Sequence, residues 1–189
     1  MMKSWVVLVL CLAAVACTSS DAKVPNEITV ELAAVTLGDD CAPPKPATPA
    51  AVAPSRCAGP NCGRRCDQTS MQLAIRAQPG VKHTTLAIKK VELLDDKGKL
   101  LQELAAREGT VWNDAKGAYV AWDQTIDASA NLKTMYALAA PNWDKLTNGR
   151  WHAHEKTFQL RVTVVIGSGT RTVEKQAITP TRLPPAVPT

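Results

Sequence analysis

Two histidines, His152 and His154, are the residues of this chain best placed to do chemistry. On an extended strand, alternate side chains point to the same side, so the two imidazoles would share one face. Imidazole nitrogens bind copper and zinc, but a pair supplies only two ligands. A site would therefore need His83, Glu155 or a carboxylate from a neighbouring loop. The alternative is a polar loop in which both imidazoles are solvated.

Tryptophans form the second candidate site. The chain contains five tryptophans and a single phenylalanine. Trp143 and Trp151 flank a segment rich in Asn, Asp and Lys between two expected strands. Exposed rings at such a position would form a platform for binding a glycan or another protein. The alternative is that these rings fill the core of the domain.

The sequence contains no recognisable catalytic or cofactor motif. Ser168 lies in Gly-Ser-Gly, which is typical of a hairpin turn and lacks the strand-to-helix elbow of hydrolases. The Asp-Asp pairs lie in turn-forming stretches, and adjacent residues of a strand face opposite ways, so they indicate no acid/base pair. Neither glycine motif for phosphate binding occurs. We therefore expect a protein that is not an enzyme and holds no cofactor.

The N-terminus has the features of an export signal. After the single basic residue Lys3, an apolar stretch ends with Ala14-Val15-Ala16 immediately before Cys17. This resembles the signal of bacterial lipoproteins, which is cleaved before a cysteine that then carries acyl chains. The resemblance implies a signal peptide at 1–16, a lipidated tether at 17–25 and a membrane anchor at Cys17.

This segment has two other interpretations, of which one stays open and one is disfavoured. Ala14-Val15-Ala16 also fits the A-x-A pattern of ordinary secretion, which exports the chain without an anchor. A retained membrane helix is disfavoured because the apolar run has about a dozen residues, whereas a span needs about 20. Thr18 follows the cysteine in place of Asp, and for a Gram-negative lipoprotein this implies the outer membrane. The expected location is therefore the bacterial cell envelope.

Four cysteines remain after the signal, and an even number in an exported domain indicates two disulfides with three possible connectivities. We favour the nested pairing of Cys41 with Cys66 and of Cys57 with Cys62, because Cys41 ends one strand-like run and Cys66 begins the next. A bond between them would close a loop of about 25 residues and stabilise the fold by about 3 kcal/mol. A zinc site is the alternative, but the spacing lacks Cys-x2-Cys.

Charge and composition limit the partners. The formal net charge is +5, but the basic residues are scattered and form no block of about five or six, so nucleic-acid binding is not expected.

The Pro/Ala-rich stretch at 42–65 predicts a surface loop that carries the disulfides, and 181–189 predicts a disordered tail. The region 26–180 has the length of one domain.

Alternating apolar and polar residues predict strands over most of this domain, most clearly from Phe158 to Ile166. Breaks in the alternation at Ala33-Ala34 and at Lys89-Lys90 predict β-bulges. Asp95 to Gly98, Asn113 to Gly117 and Gly167 to Gly169 predict tight turns. About eight strands without a long helix predict an all-β, antiparallel sandwich.

The sandwich pattern resembles immunoglobulin-like and fibronectin type III domains. The local similarity is strongest from Leu132 to Leu138, which is similar to the fibronectin run around its corner tyrosine and places Tyr136 in that role. A proline of the fibronectin pattern is missing, and two strands follow this run where a fibronectin domain has one. The resemblance therefore favours a general immunoglobulin-like sandwich of about eight strands.

Together these observations predict a lipid-anchored envelope lipoprotein that binds an envelope protein or a glycan, or has a structural role. The alternative function is a periplasmic copper or zinc carrier that uses His152 and His154. The expected partners are the membrane, through the N-terminal lipid, and an envelope protein or glycan.

Overall fold

The computed structural model describes residues 27–41 and 67–181. Within these ranges the chain forms ten strands and two short helices. In the first half the strands are β1 (Ile28–Thr36), β2 (Ser70–Ala77), β3 (Thr84–Leu94), β4 (Leu100–Glu103), β5 (Ala106–Asn113) and β6 (Ala118–Ala121). The remaining elements are β7 (Thr125–Ile126), β8 (Asn131–Leu138), α1 (Trp143–Thr147), α2 (Arg150–Ala153), β9 (Phe158–Ile166) and β10 (Gly169–Ile178).

The strands form two antiparallel sheets. The first sheet has the order β1-β2-β8-β5-β6, and the second has the order β10-β9-β3-β4, with β7 pairing with the start of β3. The predicted all-β antiparallel sandwich is therefore confirmed. Ten strands are present in the described ranges where about eight were predicted, because β5 and the two-residue β7 were not anticipated.

The core lies between the sheets and follows the period-2 pattern of the sequence. In β9, every second side chain from Phe158 to Ile166 is buried, as the alternation predicted. Met71, Leu73 and Ile75 of β2 are also buried, from the opposite sheet. Each fully buried aliphatic or aromatic side chain of this kind stabilises the fold by about 1.5–3 kcal/mol. The sandwich is therefore held mainly by apolar packing between the two sheets.

Both predicted bulges are confirmed. The register of β1 against β2 shifts between Leu32 and Ala34, and the register of β3 against β9 shifts between Ile88 and Lys90. In each strand the extra residue restores the inward phase of the apolar side chains after the break. The bulges therefore let one strand keep its apolar face toward the core along its whole length.

The predicted turns are also confirmed as hairpins. Between β3 and β4, the Asp95 carboxylate Oδ1 accepts hydrogen bonds from the backbone N–H groups of Lys97 and Lys99, at 3.0 and 2.8 Å. Gly98 has a φ of 80°, which favours glycine at this position. The turns after Asn113 and Ile166 join β5 to β6 and β9 to β10 in the same antiparallel manner.

The two outer edges of the first sheet differ. At β1, the carbonyl of Ile28 accepts a hydrogen bond from Arg171 Nη1 at 2.7 Å, and the carbonyl of Ala33 accepts one from Lys175 Nζ at 2.8 Å. Both cations belong to β10, the edge strand of the second sheet. At the opposite edge, no described strand pairs with the outer side of β6.

The segment after β8 is helical, which was not predicted. Asn142 begins α1, because its side-chain Oδ1 accepts a hydrogen bond from the backbone N–H of Lys145 at 3.1 Å. Asn148 ends α1 with a left-handed φ of 55°, and α2 follows Gly149. No helix in the described ranges is sufficiently long and apolar to span a membrane.

Several predictions fall on residues outside the described ranges. These are the signal peptide at 1–16, the lipidated tether at 17–25, the Pro/Ala-rich loop at 42–65 and nearly all of the tail at 181–189. They stay predictions.

Candidate functional site

The two histidines do not lie on an extended strand, so the geometric premise of the metal site is wrong. His152 lies in α2 and is exposed, whereas His154 follows the helix, and its Nδ1 lies 3.2 Å from the carbonyl oxygen of Pro180. Helical positions two apart are separated by about 200° around the axis, so such residues do not share a face. Metal binding at this pair stays a prediction without its original basis.

The other predicted ligands do not complete the site. The Nδ1 of His83 lies 2.7 Å from Asp127 Oδ1, on an exposed surface. Glu155 lines a cleft of about 430 Å³ with Asp95, Asp96 and the helix residue Leu146. Within the described part of the chain, no three side chains of His, Cys, Asp or Glu are grouped so that they could hold a metal ion.

The prediction that Trp143 offers an exposed ring is also wrong. Only 7% of Trp143 is exposed, and its ring packs edge-on against Phe158 with 5.5 Å between the ring centroids. Its indole Nε1 donates a hydrogen bond to the carbonyl of Gly38 at 3.5 Å. Trp143 therefore belongs to the core at one end of the sandwich. Trp151 lies in α2, and its side chain is not among those described.

The cysteine predictions are largely outside the described ranges. Cys41 is disulfide-bonded. Cys57, Cys62 and Cys66 lie outside the described residues, as does the proposed lipidation site Cys17. Both the nested pairing and the acylation stay predictions.

Tyr136 does not have the contacts of a corner tyrosine. It lies within β8 and is 1% exposed, and its hydroxyl has no hydrogen-bond partner among the described residues. A corner tyrosine would donate to a backbone carbonyl a few residues away. Burial in this apolar environment raises the pKa of Tyr136 well above its usual range.

An aromatic pair that the sequence analysis did not single out lies on the edge hairpin β5–β6. Trp112 and Tyr119 are directly opposite each other in the strand register, and their rings pack edge-to-face with centroids 5.3 Å apart. Trp112 is 37% exposed, and Leu100 is the other exposed large hydrophobic residue within the described ranges. The pair therefore presents apolar surface to solvent at a sheet edge.

The indole of Trp112 is held in place by the turn that follows it. Its Nε1 donates a hydrogen bond to Asp114 Oδ1 at 2.8 Å. The edge-to-face contact with Tyr119 fixes the ring from the other side, and such aromatic pairs contribute about 0.5–1.5 kcal/mol beyond their buried area. An exposed ring that is already ordered loses little conformational entropy when a partner covers it.

In the part of the chain that the structure describes, no strand pairs with the outer side of the backbone beside this pair. The N–H of Trp122 donates to the carbonyl of Gly109 at 3.2 Å, so this pair is hydrogen-bonded in the ladder. Because the bonded groups of an antiparallel strand alternate in direction, the N–H and C=O groups of Tyr119 and Ala121 point away from β5. We call Trp112, Tyr119 and this outer edge of Ala118–Ala121 the hairpin surface.

Opposite charges lie at the two ends of β6. Lys116 precedes the strand in the exposed turn, and Asp123 follows it. The hydroxyl and the backbone N–H of Thr125 donate hydrogen bonds to Asp123 Oδ1, at 2.7 and 3.0 Å, and these bonds hold the pKa of that carboxyl below its usual range. Asp123 is therefore anionic at neutral pH.

The sequence contained a signal for this surface. Trp112 lies two residues before the turn Asp114–Gly117, and Tyr119 lies two residues after it. Residues equidistant from a hairpin turn are cross-strand neighbours, and an aromatic pair at such positions is a recurrent stabilising contact. The signal was missed because β5 itself was not predicted.

Comparison with known proteins finds no relative of this chain. No protein-family model matches the chain, and neither a curated protein nor a solved structure matches it significantly.

Proposed function

We propose that the protein is a lipid-anchored envelope lipoprotein that binds another polypeptide through the hairpin surface and has no enzymatic activity. The observation that carries this proposal is the pair of exposed Trp112 and half-buried Tyr119, beside a strand edge that no described strand covers. Aromatic side chains are enriched at the centres of protein interfaces. An open edge adds backbone hydrogen bonds to an extended partner segment.

The proposal includes an immunoglobulin-like classification of the sandwich. The order β1-β2-β8-β5 supports it, because strands A, B, E and D have this order in constant-type immunoglobulin domains. The order β10-β9-β3 likewise corresponds to strands G, F and C. Domains of this architecture serve many functions, so the binding role rests on the hairpin surface and not on the fold.

A polypeptide partner is favoured over a glycan for a physical reason. A glycan can stack on Trp112, but it does not form the alternating donor and acceptor row that the outer edge of β6 presents. An extended peptide satisfies both features at once. The envelope location rests on the N-terminal signal, in which Cys17 would carry the lipid.

The anchor is tested by the intact mass of the protein extracted from its native membrane with detergent. We expect the mass of Cys17–Thr189 plus acyl chains, less the hydrogens lost in two disulfides. A mass without acyl chains would refute the anchor and leave the hairpin surface untouched.

The binding role is tested by fixing envelopes with a short cross-linker and comparing the wild type with Trp112→Ala/Tyr119→Ala. Leu100→Ala is the matched control, because Leu100 is the other exposed large hydrophobic residue in the described ranges. We expect a cross-linked polypeptide with the wild type and the control, and its loss in the double variant. A species that persists in the double variant would refute the surface, and an adduct whose added mass is removed by glycan hydrolases would show a glycan partner.

A further inference from the structure

We propose that the polypeptide bound at the hairpin surface is a second copy of this chain, which adds its own β6 to the open edge in antiparallel orientation. The inference rests on the proposed function of that surface. It would join two five-stranded sheets into one continuous sheet across a two-fold axis.

The two edges of the first sheet differ in how their backbone groups are bonded. Arg171 and Lys175 donate hydrogen bonds to carbonyls of β1, which occupies acceptor groups at that edge. No described group bonds to the outward groups of Tyr119 and Ala121 in β6. Soluble proteins protect exposed edges because an unpaired row of donors and acceptors is a template for another strand.

The composition of β6 also permits pairing. The strand Ala118-Tyr119-Val120-Ala121 contains no charge and no proline. Charged residues and proline are features that natural proteins place on an edge strand to prevent pairing. Their absence from β6, which is protected only by its length of four residues, leaves an edge that can accept another strand.

The outer edge of β6 is also complementary to itself. Tyr119 and Ala121 carry the outward N–H and C=O groups. In the antiparallel register that pairs all of these groups between two copies, Tyr119 of each copy lies opposite Ala121 of the other. The large ring then lies beside the smallest side chain of the strand, and Val120 pairs with Val120 on the axis. A two-fold interface uses the same patch on both subunits, so both contacts occur twice.

The charges at the two ends of β6 favour the same arrangement. Lys116 precedes β6 and Asp123 follows it, so antiparallel pairing brings Lys116 of each copy to the end where Asp123 of the other lies. Neither side chain forms an ion pair within the described residues. Parallel pairing would instead place like charges together, which is unfavourable. The charges therefore select the antiparallel, two-fold arrangement.

The test is sedimentation velocity of residues 17–189 with Cys17→Ser, so that neither the apolar signal segment nor acyl chains can cause association. We expect a concentration-dependent equilibrium between monomer and dimer. Ala121→Pro removes an outward N–H that β5 does not use, and it should leave only monomer while the fold is retained. A monomer at every concentration up to millimolar would overturn the proposal.

A charge exchange tests the orientation. Lys116→Glu and Asp123→Lys should each weaken dimerisation by about tenfold, because each brings like charges together. The double variant should restore the wild-type affinity to within about twofold, because the pair is then reversed in both copies. Lys97→Glu makes the same charge change in the β3–β4 turn and should have no effect. A double variant as weak as the single variants would refute antiparallel pairing.

The outcomes separate this inference from the proposed function. If the protein stays monomeric but Trp112→Ala/Tyr119→Ala still abolishes the cross-linked species in envelopes, the second copy is wrong and the binding surface stands. If it dimerises but neither Ala121→Pro nor the charge variants change the dimer, the interface lies elsewhere and the inference is wrong.

Discussion

Gly109 lies directly opposite the buried ring of Tyr136 in the pairing of β5 with β8. A Cβ atom added at Gly109 would lie 2.8 Å from Tyr136 Cε1 and 2.9 Å from Cζ, closer than van der Waals contact allows. The glycine therefore provides the space in which the largest fully buried side chain of the described chain packs. This contact ties the edge hairpin that carries the hairpin surface to the central strand β8.

Gly109→Ala should lower the free energy of unfolding by about 2 kcal/mol, because the added methyl group overpacks a rigid core. Urea denaturation followed by tryptophan fluorescence measures the change. Gly80→Ala is the matched control, since a Cβ at Gly80 would meet nothing within 4 Å, and its effect should stay within about 0.5 kcal/mol. Equal losses in the two variants would show that the Tyr136 ring does not require the glycine.

Tyr136→Phe should leave the fold intact and raise its stability at neutral pH by up to about 1 kcal/mol. The hydroxyl of Tyr136 is buried without a hydrogen-bond partner among the described residues, so its removal relieves a desolvation cost. A loss of more than about 1 kcal/mol in urea denaturation would show that the hydroxyl forms a bond after all.

The same residue predicts a loss of stability in alkali. Burial raises the pKa of Tyr136 in the folded state, whereas in the unfolded state it titrates near its ordinary value of about 10. Above that pH the unfolded chain binds fewer protons than the folded chain, so the free energy of unfolding falls as pH rises. The contribution is fully present below about pH 10.

Urea denaturation at pH 8 and at pH 11 measures this effect. The stability of the wild type should fall by about 1 kcal/mol more between these pH values than the stability of Tyr136→Phe. Parallel losses in the two proteins would assign the alkaline effect to other groups.

Arg171→Met should lower the free energy of unfolding by about 1.5–3 kcal/mol, because it removes a charged donor from the buried Ile28 and leaves that carbonyl without its bond. The variant should also increase the rate of amide hydrogen exchange more in β1 than in β8. Lys97→Met, in an exposed turn, is the control and should change neither quantity. Unchanged exchange in β1 would show that the cation does not hold this edge.

Substitutions of the buried Trp143 and the exposed Trp112 should separate stability from binding. Trp143→Ala should cost about 3–5 kcal/mol of stability, because the ring fills the core against Phe158. Trp112→Ala should cost at most about 1 kcal/mol, because it removes an exposed cross-strand contact. It should also weaken dimerisation, because it frees the ring of Tyr119, which lies opposite Ala121 of the second copy. Thermal unfolding and sedimentation velocity together distinguish the two, and the reverse pattern would return Trp143 to the binding site.

The long strands were predictable because their residues alternate over many positions. Phe158–Ile166 and the bulge at Ile88 to Lys90 follow from the period-2 pattern and its break. β5 was missed because Arg107, Glu108 and Gly109 interrupt that pattern at a register shift. β7 has two residues, too few to show any period.

The candidate site was harder to predict for a related reason. A helix of five residues such as α1 is too short to show a helical period, so only its Asn142 cap and the Asn148-Gly149 end marked it. The same short element buries Trp143, which composition alone placed in a loop. Whether a tryptophan is exposed depends on which strand lies beneath it, and the sequence pattern does not supply that neighbour.

If the hairpin surface is covered by a second copy in the envelope, a photo-cross-linking phenylalanine analogue at position 119 will form an adduct with that copy. The full chain carries the analogue in its native membrane, with position 172, on the exposed face of β10, as the control. We predict an adduct of twice the monomer mass from position 119 and none from position 172. No adduct from position 119, or the same adduct from both positions, would contradict the account.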